Sequence, residues 1–162
     1  MAVRLQKRLG GWVTLDDTCR EAGTLEYVPG SHRWPLARIP DDFHGVDDYR
    51  AQMRAAAEAA GVVPADPYFI EVPAGSCVFH AGEIWHGSGP NRTTDRMRRS
   101  IGLHLVPAET CFSDRAGGYI YRRYQRAGDK SMDESFFPIL WTVSGQRTSW
   151  ADAYCQTGLR VG

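Results

Sequence analysis

Residues 12–32 read WVTLDDTCREAGTLEYVPGSH, and the pattern inside this stretch decides the fold class. Trp12-Val13-Thr14-Leu15-Asp16 and Thr24-Leu25-Glu26-Tyr27-Val28 are short runs rich in β-branched and aromatic side chains, which suit a pleated surface better than a helix. The polar segment between them ends in Gly23, so the two runs are predicted as consecutive strands. Proline removes a ladder donor and glycine permits a tight turn, which stops the second strand at Pro29-Gly30-Ser31-His32.

Downstream, a long connection runs through Asp41 to Gly45. From Val46 to Ala60 acids stand in the first turn, alanine fills the body and Gly61 marks the stop, which predicts a helix over 46–60. Tyr68–Val72, Ser76–His80 and Arg98–Leu105 return to strand character, with Pro73-Ala74-Gly75 as a tight turn between the first two. Five strands and one inserted helix indicate a mainly β domain. Beyond Pro107 the pattern weakens into aromatic and basic segments without a clean period, expected to wrap the sheet with a short helix or two. With no internal repeat, low-complexity tract or linker composition, residues 12–162 read as a single domain.

At 162 residues the chain is long enough to bury a core without metals or disulfides, and 43% hydrophobic with 23% charged residues is ordinary for a globular protein. Nineteen basic residues balance nineteen acidic ones, so the excess positive charge that nucleic acid or an anionic membrane would attract is missing. The run Tyr119, Tyr121, Arg122, Arg123, Tyr124 and Arg126 therefore reads as a solvated, partly packed segment rather than a base-stacking platform. Cys19, Cys77, Cys111 and Cys155 lie far apart, the opening MAVRLQKRLGG is too polar for a signal sequence, and no apolar run approaches the roughly 18 residues of a membrane helix. These features predict a cytoplasmic protein whose partner is a small molecule, with no nucleic acid and no membrane; they do not set an oligomeric state.

The densest cluster of chemistry-bearing residues is FHAGEIWHGSGPN, Phe79 to Asn91, directly after a predicted strand. Neutral imidazole is the commonest protein metal ligand, and the glycines beside it let a ligand or backbone come close. From the residues alone a hydrogen-bonded structural histidine is the commoner outcome at a strand end, and the zinc-protease spacing H-E-x-x-H is absent. The second feature is Arg98 to Leu105, whose alternation puts Arg98, Ser100, Gly102 and His104 on one face. A guanidinium there is able to clamp a carboxylate, or to belong to a solvated strand face. Neither a glycine-rich phosphate loop nor a serine nucleophile elbow is present, which excludes their forms of phosphoryl and acyl transfer.

Taken in order, WVTLDD, GTLEYVPGSH, VPAGSCVFH and WHGSGPN followed by arginines resemble the phytanoyl-CoA dioxygenase family of iron(II)- and 2-oxoglutarate-dependent oxygenases, over roughly residues 12–106. The resemblance implies a double-stranded β-helix, or jelly roll. It also implies a facial triad of two histidines and one carboxylate, with open positions for 2-oxoglutarate and dioxygen. By resemblance, His86 corresponds to the distal iron ligand, Arg98 to the arginine that pairs with the far carboxylate of 2-oxoglutarate, Ser88 to a hydroxyl that assists it, and Trp12 to an aromatic of the cosubstrate pocket. Arg96 and Arg99 are the neighbours in register; the alternation favours Arg98. No further catalytic residue is assigned.

The family's H-x-D motif, which supplies two of the three protein ligands, is absent, and His44 offers only H-x-x-D on the inserted loop. Five strands also fall short of the roughly eight of a jelly roll. The expectation is therefore a jelly roll incomplete at its N-terminus, with residues 1–11 as a leader of unclear origin. The chain is expected to be a fragment of a dioxygenase that hydroxylates a small organic substrate while decarboxylating 2-oxoglutarate to succinate, and to lack activity in isolation. The alternative is a non-catalytic jelly-roll module in which His86 and Arg98 are structural or bind an anion. His80 reads as packing near the site, Asp16 and Asp17 as turn-shaping residues, and His32 as bonded within its loop.

Overall fold

In the computed structural model, which describes residues 8–35, 48–114 and 119–155, six strands pair into two antiparallel sheets. The first sheet has β1 (Leu9–Thr14) at its centre, between β4 (Cys77–Ala81) and β6 (Ser100–Leu105). The second has β2 (Leu25–Tyr27) between β3 (Tyr68–Phe69) and β5 (His86–Ser88). The chain crosses between sheets from β1 to β2, from β3 to β4, from β4 to β5 and from β5 to β6. Repeated crossing of this kind is the winding of a jelly roll, in agreement with the mainly β reading.

The strands differ from the sequence reading at their ends for identifiable reasons. β1 starts at Leu9, so Leu9–Gly11, read from sequence as part of a leader, are strand and stand opposite Phe79–Ala81 on one side and Leu103–Leu105 on the other. Two adjacent glycines carry poor strand propensity, and pairing on both sides overrides it. β3 is shorter than predicted because hydroxyls take over its ladder. Thr18 Oγ1 donates to Ile70 O at 2.8 Å and accepts from Val72 N–H at 2.9 Å, and Thr24 Oγ1 also donates to Ile70 O. β5 has no strand signal in HGS, yet it pairs residue for residue with β2, and the adjoining Val28 N–H donates to Trp85 O at 2.9 Å.

Register fixes the faces. Gly10, Trp12 and Thr14 share one face of the first sheet with Val78, His80, Gly102 and His104. That face meets the one carrying Leu25, Tyr27, His86 and Ser88, and the core between them is Trp12, Tyr27 and Ile70, with Leu25, Val72, Val78 and Ile84 packed around it. The opposite face of the first sheet bears Phe79, Ile101 and Leu103, all exposed.

The predicted helix is present as α1 (Tyr49–Ala59); residues 46 and 47 lie outside the described residues. Asp48 caps it, accepting from the Arg50 and Ala51 amides at 3.1 Å each, and Met53, Ala56 and Ala57 form its buried stripe. Arg50 reaches back to the buried Glu26 of β2 with a two-pronged ion pair, Nε to Oε1 at 2.7 Å and Nη2 to Oε2 at 2.5 Å.

The described residues fall into two compact units that divide between Val106 and Pro107, where the strand pattern of the sequence weakens. The second holds α2 (Tyr119–Arg122) and α3 (Ser149–Cys155). Its packing centres on Phe112, Tyr124, Phe136 and Phe137, with Tyr124 and Phe136 ring centroids 4.6 Å apart. Buried Thr148 accepts from the Ile139 amide at 2.8 Å, which closes the loop before α3.

Candidate functional site

Four residues, Gly82 to Trp85, turn the chain from the first sheet into the second, and this corner brings His80 of β4 against His86 of β5. Their ring centroids are 4.7 Å apart. The corner is secured by the loop that follows β2: Ser31, fully buried, accepts the Trp85 N–H on its Oγ at 2.8 Å. The two sequence signatures PGSH and WHGSGPN are therefore one hydrogen-bonded unit. Gly23 extends the stitching. At φ +72° it runs so close to the GSGPN segment that a Cβ would lie 2.3 Å from Gly89 O, and nearby Arg92 N–H donates to Glu21 O at 2.9 Å.

His86 is exposed, and its Nδ1 lies 2.8 Å from the carbonyl oxygen of Ile84. A carbonyl only accepts, so Nδ1 donates and in the neutral ring Nε2 keeps its lone pair, the tautomer a metal ligand needs. His80 is the reverse case. Tyr27 OH donates to its Nδ1 at 2.7 Å; burial pushes the phenol up to about 12, so the proton stays on oxygen. Burial first, and then the neighbouring His86 and His104, push His80 down to about 4, which keeps the ring neutral with its hydrogen on Nε2. His80 and His104 both stand opposite Gly10 in the first sheet, and the His80 ring lies over that glycine.

The three candidate arginines part company. Arg99 turns to Asp16, with Nη2 donating to Oδ1 at 2.7 Å and its backbone N–H to Oδ2 at 2.7 Å; these bonds hold the Asp16 carboxyl down to about 2. Arg96 is exposed and directs Nη1 at Cys19 Sγ, 3.5 Å away. Arg98 is half-buried, and its Nε is fully shielded from water without a hydrogen-bond partner among the described residues. A shielded guanidinium nitrogen in that state is costly, and a carboxylate satisfies it.

Ser88 is half-buried and lies on the same face of β5 as His86. Trp12, only 6% exposed, is a core residue packed with Tyr27 and Ile70 beneath this face. Asp17 accepts the Ala74 N–H at 2.8 Å, the turn-shaping role expected of it. His44 lies outside the described residues. Nothing in the GTLEYVPGSH motif or the Arg98–Leu105 alternation singles out Tyr27 or His104 as a site residue, and Gly10 stands outside both; the pairing of strands far apart in sequence brings them to the cluster.

The fit to a metal is partial. His86 is a competent ligand by tautomer and exposure, but among the described residues no three His, Cys, Asp or Glu side chains converge to hold an ion. Nor is any helix among them long and apolar enough to cross a membrane.

A family model described as phytanoyl-CoA dioxygenase (PhyH) matches residues 3–100. Dioxygenase swnH1 of Metarhizium robertsii is 30% identical over 99 residues, covering 61% of this chain and 25% of that protein. Dioxygenase aneA of Aspergillus aculeatus is 30% identical over 138 residues, covering 85% of this chain and 36% of that protein. The chain thus spans about a quarter to a third of the length of these relatives. Among solved structures, the non-heme alpha ketoglutarate dependent carbocyclase SnoK from nogalamycin biosynthesis superposes with a TM-score of 0.53 at 26% identity, covering 78% of this chain and 46% of that one.

Proposed function

Because this chain belongs to the phytanoyl-CoA dioxygenase family, we propose that it carries the distal-histidine and cosubstrate half of an iron(II)- and 2-oxoglutarate-dependent oxygenase site acting on a small organic molecule. The observation that carries this reading is the His86 hydrogen bond to Ile84 O, which places the hydrogen of the neutral ring on Nδ1 and turns Nε2 into its ligand nitrogen at an exposed position. Support for the cosubstrate comes from SnoK, which is named as alpha ketoglutarate dependent, and from Arg98, whose shielded nitrogen calls for an anion.

When bound, iron(II) and 2-oxoglutarate supply the oxidising power, with dioxygen consumed and 2-oxoglutarate decarboxylated to succinate. The chain's own residues bind and orient. His86 offers one nitrogen of a two-histidine, one-carboxylate set, and no second and third ligand converge on it among the described residues. Arg98 holds the far carboxylate of the cosubstrate, Ser88 adds a hydroxyl, and Trp12 stiffens the floor from below. A second reading, a non-catalytic jelly-roll module that binds a small anion, draws on the absence of a three-ligand cluster among the described residues.

Anaerobic titration of the purified chain with iron(II) and 2-oxoglutarate, read as binding of each, separates the two. On the oxygenase reading His86→Ala removes iron(II) retention, and Arg98→Ala weakens 2-oxoglutarate binding by about 10- to 100-fold with iron(II) retention unchanged. Anion binding that ignores both iron(II) and the His86→Ala substitution rejects the oxygenase in favour of the module; missing succinate alone does not, because His86 is one ligand of three.

A further inference from the structure

We infer that His80 is a positioning residue for His86, locked for that purpose by Tyr27 on one side and by the bare backbone of Gly10 on the other. His86 needs such support. Among the described residues β5 is an edge strand of three residues, and the His86 imidazole is exposed, so its own strand leaves the ring free to rotate. The bond from Nδ1–H to Ile84 O forms in one ring orientation, and two neighbouring rings wall that orientation in. His80 lies at 4.7 Å between centroids with a 51° tilt, and Tyr27, directly opposite His86 in the β2–β5 register, lies at 6.1 Å with a 53° tilt.

His80 itself has little freedom. Its Nδ1 accepts a hydrogen bond from the Tyr27 hydroxyl at 2.7 Å, and its far edge occupies the space of the side chain that Gly10 lacks. A Cβ on Gly10 would lie 2.2 Å from His80 Nε2 and 2.4 Å from Cε1. Gly10 has an ordinary backbone conformation and sits in the centre of a sheet, where glycine weakens a strand. The seat it makes for the His80 ring is a reason for it to be there. Tyr27, His80 and Gly10 thus fix the His86 ring through packing.

What His86 does with that nitrogen rests on the iron reading above; the positioning does not, and one experiment tells the two apart. Long-range proton–nitrogen NMR of the full chain without metal reports the imidazole tautomers directly. In the wild type His86 is expected as a single Nδ1-protonated species. Gly10→Ala displaces His80 and leaves Tyr27, His80 and His86 chemically intact; Tyr27→Phe removes one oxygen atom and guards against a general weakening of β1 by the alanine. Both variants are expected to show His86 as a mixture of tautomers, with iron(II) binding about tenfold weaker than wild type. An unchanged His86 tautomer in either variant, with circular dichroism showing a folded chain, overturns the positioning role. A changed tautomer in both, with no iron(II) bound even by the wild type, upholds the positioning role and overturns the iron reading.

Discussion

Ser31 carries an unusual share of the site for a residue that touches neither candidate ligand. It is 2% exposed, its hydroxyl accepts the Trp85 amide, and Trp85 immediately precedes His86. Its side chain is the bolt between the loop after β2 and the corner that enters β5. Ser31→Ala leaves the Trp85 N–H without its acceptor in a half-buried setting, and is expected to cost about 1–2 kcal/mol in urea unfolding. Ser31→Thr keeps the acceptor but adds a methyl in a fully packed position, so it too is expected to destabilise. A loss under about 0.3 kcal/mol for the alanine would mean that water replaces the hydroxyl. The residue was legible as part of a motif; its partner was not, because the bond spans 54 positions.

At the scale of elements, α1 shows local and non-local information acting together. Its body is written in the sequence, since the alanine-rich run has high helix propensity, whereas its start differs from the expected Val46: Asp48 stands as the cap before Tyr49 and not inside the first turn. What fixes it to the sheet is the Arg50–Glu26 pair, which links the first turn of the helix to the outer face of β2. Glu26 is almost fully buried while the Arg50 side chain is 38% exposed, so solvent screens the pair only from one side. Arg50→Met removes the guanidinium and keeps the aliphatic stem. It is expected to cost about 1–3 kcal/mol, below the roughly 3–5 kcal/mol of a fully buried broken pair. Because β2 also carries Tyr27, the same variant should shift the NMR signals of His80; a stability loss with His80 unmoved would confine the effect to the helix. β5 is the converse case. No residue of HGS favours a strand, and only the edge offered by β2 makes it one.

At the scale of the whole molecule, two opposite charge habits set the response to acid. His80 is held down to about 4 in the folded state against an ordinary value of 6.5, so the unfolded chain binds the extra proton. Its contribution to stability is full above about 6.5 and is lost as pH falls toward 4. Asp16, held down to about 2 against 3.8, contributes fully above 3.8 and loses that contribution as pH falls toward 2. Thermal melts against pH should therefore fall in two stages. His80→Asn is expected to flatten the upper stage and Asp16→Asn the lower; a melt curve unchanged in slope between pH 6.5 and 4 for His80→Asn would show that other groups govern acid unfolding. The same cluster marks the border between local and tertiary information. Local pattern marks five of the six strands, the alanine-rich body of the helix and the motif residues that bear chemistry, because a period of two, helix propensity and a proline–glycine stop act within a few residues of themselves. It also put Arg98, Ser100, Gly102 and His104 on one face. Pairing across the fold is what continues β1 through Leu9–Gly11, makes His86–Ser88 a strand, gives Arg99 to Asp16 and gathers Tyr27, His80 and Gly10 around His86. Those outcomes depend on register between segments from about 50 to nearly 100 residues apart, and a chain's local pattern states which face a side chain takes but not which partner that face will meet.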